Sequence, residues 1–153
     1  MKRNLLDVCA GNALTSILAV HLLPVNGALA IDTSPRRRNG YRHVQRWEYG
    51  QGDFTLWTPI DLPFALVAVH ACGKAAIDAI ACFHRWDCAR LLVLMPCCHG
   101  NQTPRRIIPQ AFRDKISKYE AWAWWLAEQA GGDLYVDPNI LSPCNAIVVA
   151  RKA

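Results

Sequence analysis

Short apolar runs that stop at small or polar residues, alternating with stretches of helical length, constrain this chain more than any other feature. Leu5-Leu6-Asp7-Val8 stops at Ala10-Gly11-Asn12 and reads as a buried strand. Leu14 to Leu23 has helical length and ends at Pro24, because the residue before a proline leaves the helical region. Ala28 to Ile31 is a second buried strand that ends at Asp32. Ser34-Pro35 has the form of an N-cap followed by the first helical residue, and predicts a basic helix through about Arg46. A weak third strand near Val44–Tyr49 overlaps that helix and leads into the turn Gly50-Gln51-Gly52-Asp53. Phe64–Val69 and Arg90–Met95 are strong strands, with a helical segment, Lys74–Phe83, between them. A long helix from Gln110 to Ala130 ends at Gly131-Gly132, and Leu134–Val136 and Ala146–Ala150 are the last strands.

Strands that are apolar throughout are buried on both faces, as in a parallel sheet between two helix layers. The expectation is therefore an α/β fold, a single doubly wound, mostly parallel sheet with helices on both faces. The final two strands have no helix between them, which implies one antiparallel edge strand. At 153 residues the chain fits one domain, read as 1–153.

Composition narrows the class. Half of the residues are hydrophobic (52%) and 19% are charged, which excludes a disordered chain. No apolar run reaches the roughly 18 residues that would span a bilayer. Asp7, Gly11 and Asn12 interrupt the first apolar stretch, against a secretory signal. The reading is a cytoplasmic protein with no membrane partner. Its seven cysteines, an odd number, are then expected as reduced thiols. The net charge is +5, and the excess is local: Arg36, Arg37, Arg38, Arg42, His43 and Arg46, then Arg105-Arg106. Such clusters suit a phosphate-bearing partner, or else form a solvated helix face.

Three acidic positions carry the chemistry. In Asp7-Val8-Cys9-Ala10-Gly11-Asn12-Ala13 a strand enters a small-residue turn and then a helix, where backbone can approach a ligand closely. Asp7 can accept from a cationic amine; Cys9 and Ala13 stand where glycine would give a fuller fingerprint. Asp32 falls 21 residues after Gly11, where an acidic side chain hydrogen-bonds ribose hydroxyls or caps the following helix. Asp53 can accept from an adenine amino group while Phe54 offers an apolar face, or can be a plain turn aspartate.

Asp7…Gly11, Ala30-Ile31-Asp32 and Gly52-Asp53-Phe54 together resemble motifs I, II and III of class I, Rossmann-like methyltransferases. Val69-His70-Ala71-Cys72-Gly73 and Met95-Pro96-Cys97-Cys98-His99 narrow the resemblance to a methyltransferase-like domain family with H-x-C-G after strand four and P-C-C after strand five. The resemblance spans about Leu5 to Gly100. It implies a seven-stranded sheet and S-adenosyl-L-methionine as cofactor. Asp7, Cys9 and Gly11 would hold the methionine part, Asp32 the ribose, and Asp53 and Phe54 the adenine. His70 would lie beside the sulfonium as the catalytic residue. This chain has no D/N-P-P-Y/F after strand four, the usual mark of methylation at an exocyclic base amine.

His70 can take a proton near neutral pH, or can be a buried neutral histidine. Cys72, Cys97 and Cys98 are nucleophiles only if something lowers a thiol pKa, and otherwise pack as small apolar groups. Their convergence with His70, His99 and Cys144 raises the question of zinc, but no C-x2-C pair is present and no metal is expected. Arg36, Arg37, Arg38, Cys97, Cys98 and His99 are the candidate substrate-binding residues. The acceptor is expected to be RNA, on the strength of the basic stretches; a protein or small molecule is the alternative. A protein partner or a second copy could supply recognition. Trp122 and Trp125 share a helix face, whereas Trp124 points elsewhere. Other classes weighed are a non-catalytic Rossmann-like scaffold and a nicotinamide oxidoreductase; the missing Gly-x-Gly-x-x-Gly counts against the second.

Overall fold

Apolar runs with side chains on both sides need cover on both faces, and the computed structural model provides it. It describes residues 3–35, 43–59, 62–99 and 115–153. The strands are β1 (Arg3–Val8), β2 (Val25–Asp32), β3 (Trp47–Gln51), β4 (Phe64–Val69), β5 (Ala89–Met95), β6 (Asp133–Val136) and β7 (Ala146–Arg151). They form one seven-stranded sheet in the order β3-β2-β1-β4-β5-β7-β6. β3, β2, β1, β4 and β5 pair in parallel, and β7 runs antiparallel to both β5 and the outermost β6, so the antiparallel pairing expected of the last two strands lies toward that edge.

Successive residues of a strand face opposite sides, and two clusters result. Leu5, Val25, Ala28 and Val67 pack with Ala19 and Val20 of α1 (Leu14–Leu22). Leu6, Val8, Leu66, Leu92, Leu94 and Val148 pack on the other face with Ala76, Ile80 and Phe83 of α2 (Lys74–Arg85) and Trp122 and Leu126 of α3 (Lys118–Ala130). The doubly wound arrangement is thus realised. α1 also keeps an outward stripe, with Leu14, Leu18 and Leu22 between 47% and 74% exposed.

Two helix boundaries differ from expectation. α3 begins at Lys118, not within a helix running from Gln110; of that span, 110–114 lie outside the described residues. Ser117 accepts from the Glu120 N–H and the Glu120 carboxylate accepts from the Ser117 N–H, a reciprocal cap that starts the helix there. The basic helix does not reach Arg46: residues 43–46 form turns, and β3 starts at Trp47. The Arg46 guanidinium turns inward, donating to the Val25 and Val20 carbonyls, so it is removed from any phosphate-binding patch. Arg36, Arg37, Arg38, Arg42, Arg105 and Arg106 lie outside the described residues. Trp122 is buried and stacks with Trp125, while Trp124 is 65% exposed, as the helical spacing requires. Among the described residues no helix is long and apolar enough to cross a membrane.

Candidate active site

The strand order reverses direction between β1 and β4, and in an open parallel sheet the crevice beyond the carboxyl ends at such a point is where a ligand fits. A cleft of about 710 Å³ lies there, and Asp7, Cys9, Gly11, Asn12, Val69 and His70 are among its lining residues. It continues along α1 over Leu14, Leu18 and Leu22. A second cavity of about 400 Å³, by Asn4, Gly27, Trp47 and Trp57, belongs to the opposite ends of the strands, away from these groups.

The turn after β1 is built on left-handed backbone. Cys9, Gly11 and Ala13 have φ of 55°, 48° and 50°. Every second residue of Cys9-Ala10-Gly11-Asn12-Ala13 therefore adopts the conformation glycine favours, though only one is glycine. A Cβ added at Gly11 would meet nothing within 4 Å, so open space lies over the turn. Beneath it Asp7 is buried, 1% exposed, and its Oδ2 accepts from the Ser16 N–H at 3.2 Å. Ser16 also accepts from the Trp47 indole N–H at 3.1 Å, which fastens β1, α1 and β3 together. Ser16 was not singled out from the sequence; a lone serine in an apolar helix gives no signal beyond its being polar there.

Asp32 joins the second motif to the first. Its Oδ2 accepts from the Gly11 N–H at 2.9 Å and its Oδ1 from the Ser34 N–H at 2.8 Å. Its carbonyl accepts from the Gly52 N–H, which brings the third motif alongside. Asp32 thus closes a local turn and keeps a half-buried carboxylate at the strand end. Asp53 is fully exposed and its Oδ1 accepts from the Thr55 hydroxyl at 2.7 Å and the Thr55 N–H at 2.8 Å. These bonds, the hydroxyl first, hold its carboxyl below the ordinary value. Phe54 is a correction. It is 7% exposed and packs in the core with Val8, Ile31 and Ala71, so it offers no free apolar face to a ligand. Its packing partners come from β1, β2 and the turn after β4, which the sheet brings together around it.

Burial pushes the Cys9 thiol up to about 11, with Asp32 and Asp7 adding to the shift, so it stays protonated at neutral pH. His70 has φ of 61° and an exposed side chain, against the alternative of a buried histidine. Its N–H donates to the Met95 carbonyl at 2.9 Å, which locks the ends of β4 and β5 together. The Gly73 N–H donates to the Cys98 carbonyl at 3.1 Å and extends the lock.

The same register brings the cysteines together, and for one pair the expectation of reduced thiols is overturned, while Cys9, Cys82, Cys88, Cys98 and Cys144 are free. Cys72 and Cys97 are joined by a disulfide with Cα atoms 5.6 Å apart. The Cys98 Sγ lies 3.9 Å from that of Cys97. Cys144 is also close, with its Sγ 2.7 Å from the Cys97 carbonyl oxygen. The His99 Nδ1 is buried with no hydrogen-bond partner among the described residues. Parallel pairing of Val69 with Met95 sets residues 70–73 beside 96–98, a relation that spacing along the chain, 25 residues, does not announce.

Against known proteins, the family described as Methyltransferase domain matches residues 1–104. No curated protein matches the sequence. Among solved structures, the 23S rRNA methyltransferase ErmE is similar over 99% of this chain and 62% of its own, at 14% identity and a TM-score of 0.60. M. capricolum TrmK, solved with S-adenosyl-homocysteine, gives 99% and 62%, 10% identity and a TM-score of 0.61. The methyltransferase domain of bacterial CtHen1 gives 98% and 90%, 12% identity and a TM-score of 0.57. The chain thus spans about six-tenths of the first two, and at these identities the likeness is one of fold.

Proposed function

This chain belongs to the methyltransferase-domain family, and we propose from that premise an S-adenosylmethionine-dependent methyltransferase, residues 1–153 acting as one domain, with RNA as acceptor. The observation that carries the reading is the left-handed turn Cys9–Ala13 hydrogen-bonded through Gly11 to Asp32 at the sheet's reversal point. The residues fit the cofactor. Open space over Gly11 admits a ligand against the backbone, and the Asp32 carboxylate has lone pairs beyond those that meet Gly11 and Ser34.

Asp7 and Gly11 would hold the methionine part, Asp32 the ribose hydroxyls and Asp53 the adenine amine. When bound, the cofactor supplies an activated methyl on a sulfonium, so much of the rate comes from alignment of the acceptor. His70, exposed at the cleft, would take the proton that an oxygen or nitrogen acceptor loses. Cys97, Cys98 and His99 follow β5 at the same end of the sheet as His70, and would lie toward the acceptor. The H-x-C-G and P-C-C segments are read as marks of a subfamily. RNA is favoured by Arg36, Arg37 and Arg38, which follow Asp32 directly in sequence, and ErmE, of similar fold, is named for 23S rRNA. The outward stripe of Leu14, Leu18 and Leu22 is the surface a protein partner or second copy would cover.

The test is incubation with methyl-labelled cofactor and fractionated RNA, protein and small molecules, beside calorimetry with S-adenosylmethionine and NAD. Label in RNA is expected, and no NAD binding. Arg36, Arg37 and Arg38 replaced by Ala should flatten the salt dependence of RNA binding, at a log–log slope of roughly 0.7 per lost phosphate contact, while cofactor affinity stays unchanged. Label in protein or small molecules alone overturns the RNA acceptor; NAD binding without S-adenosylmethionine binding overturns the activity.

A further inference from the structure

Three cysteines at the ends of β4 and β5 do more than pack. The Sγ atoms of Cys72, Cys97 and Cys98 all lie within 4.8 Å of one another. Cys98 is exposed and Cys97 half-buried, so the cluster opens to solvent. Zinc binds thiolates at about 2.3 Å, which sets the corners of its tetrahedron about 3.8 Å apart. The Cys97–Cys98 separation of 3.9 Å already meets that edge. The expectation of no metal rested on the absent C-x2-C pair, but the fold assembles the set from two strand ends instead.

We propose that reduced Cys72, Cys97 and Cys98 form a site for a thiolate-seeking divalent cation of the zinc class, and that the Cys72–Cys97 disulfide is the oxidised, metal-free form of the same site. The three thiolates leave the fourth position of a tetrahedron to solvent, since Cys72 and Cys98 are both exposed. The two forms exclude each other, since Cys72 and Cys97 joined by an S–S bond no longer offer the anionic thiolates that bind the metal. Reduction by a dithiol gives the disulfide two electrons and two protons, and metal binding then displaces thiol protons. Oxidation reverses this: two thiolates yield two electrons to an oxidant such as a diazene, which takes two solvent protons, and the metal leaves. The site ties the loop before α2 to the loop after β5, and it does not depend on the methyltransferase reading.

The experiment uses the whole chain, reduced with a phosphine and freed of metal under argon, and titrated with cobalt(II) and then zinc(II). Expected are a thiolate-to-cobalt charge-transfer band with tetrahedral d–d bands, saturating at a single equivalent and bleached by zinc. Diamide should release the metal, and renewed reduction should restore binding. Cys98→Ser should lose at least tenfold in cobalt affinity, while Cys88→Ser, outside the cluster, binds as wild type. Zinc should raise the Tm of reduced wild type but not of Cys98→Ser, which reports on the site even if variants of Cys72 or Cys97 fail to fold. The proposal is overturned if the folded, reduced protein shows no thiolate–cobalt band, or if Cys98→Ser binds cobalt as tightly as wild type.

Discussion

Cys9 occupies a backbone position where glycine would be at ease, and replacing it in two directions measures what that costs. Its φ of 55° carries a penalty of about 1–2 kcal/mol for a residue with a Cβ. Cys9→Gly removes that strain. Against this, glycine adds about 0.5–1 kcal/mol of unfolded-state entropy, and a half-buried side chain is lost, about 0.5–1 kcal/mol at ~0.8 kcal/mol per buried methylene. The opposing contributions nearly cancel, so the glycine variant should lie within about 1 kcal/mol of wild type in urea unfolding. Cys9→Val keeps the strain and adds a β-branch that the left-handed region does not tolerate. It should lose about 2 kcal/mol or more, which in a domain of this size lowers Tm by about 4–8 °C. Calorimetry with S-adenosylhomocysteine should find the glycine variant binding as well as wild type or better, because backbone can approach more closely. If glycine destabilises as much as valine, the side chain matters for packing and the turn is not a glycine turn in disguise.

Three further outcomes follow from the geometry. Asp32→Ala should weaken S-adenosylhomocysteine binding by about 1–3 kcal/mol and also lower stability, since the Gly11 and Ser34 N–H groups lose their acceptor; unchanged affinity in the folded variant would make Asp32 a purely structural tie. Gly132→Ala should destabilise by about 1–3 kcal/mol in thermal unfolding, because its Cβ would sit 2.4 Å from the Val149 carbonyl oxygen of β7, whereas Gly131→Ala meets no neighbour and carries only the strain of its φ of 62°. The Cys9 thiol, raised from 9.0 to about 11 in the folded protein, binds its proton more tightly there than in the unfolded chain. Its contribution to stability is therefore full below about pH 9 and lost as pH rises from about 9 to about 11; a Cys9→Ala variant should show a shallower fall across that window.

The parts of the fold that came through in the sequence are those where one residue type does one physical job along a whole segment. Leu66, Leu92 and Leu94 are buried to 0% exposure because a parallel strand leaves them nowhere else to go, and that is visible as an unbroken apolar run. The place of Asp32 at the end of β2, hydrogen-bonded to Gly11, was legible for a related reason: an acidic residue that stops an apolar run marks the strand's end. What was not legible depends on pairs brought together by the sheet. Ser16 matters because Asp7 and Trp47 both reach it, and Cys72 matters because β4 and β5 run in parallel and place Cys97 beside it. Phe54 was read as a cofactor wall, but it packs with Val8, Ile31 and Ala71, neighbours that only the sheet brings to it. The start of α3 is different in kind, since the Ser117-Lys118-Tyr119-Glu120 capping box that fixes it is a local signal in the sequence itself. The turn at Cys9–Ala13 joins the two cases. Its glycine pattern is broken in the letters and intact in the dihedrals, so here tertiary constraint, through Asp7 below and Asp32 beside it, holds a conformation that composition alone would have argued against.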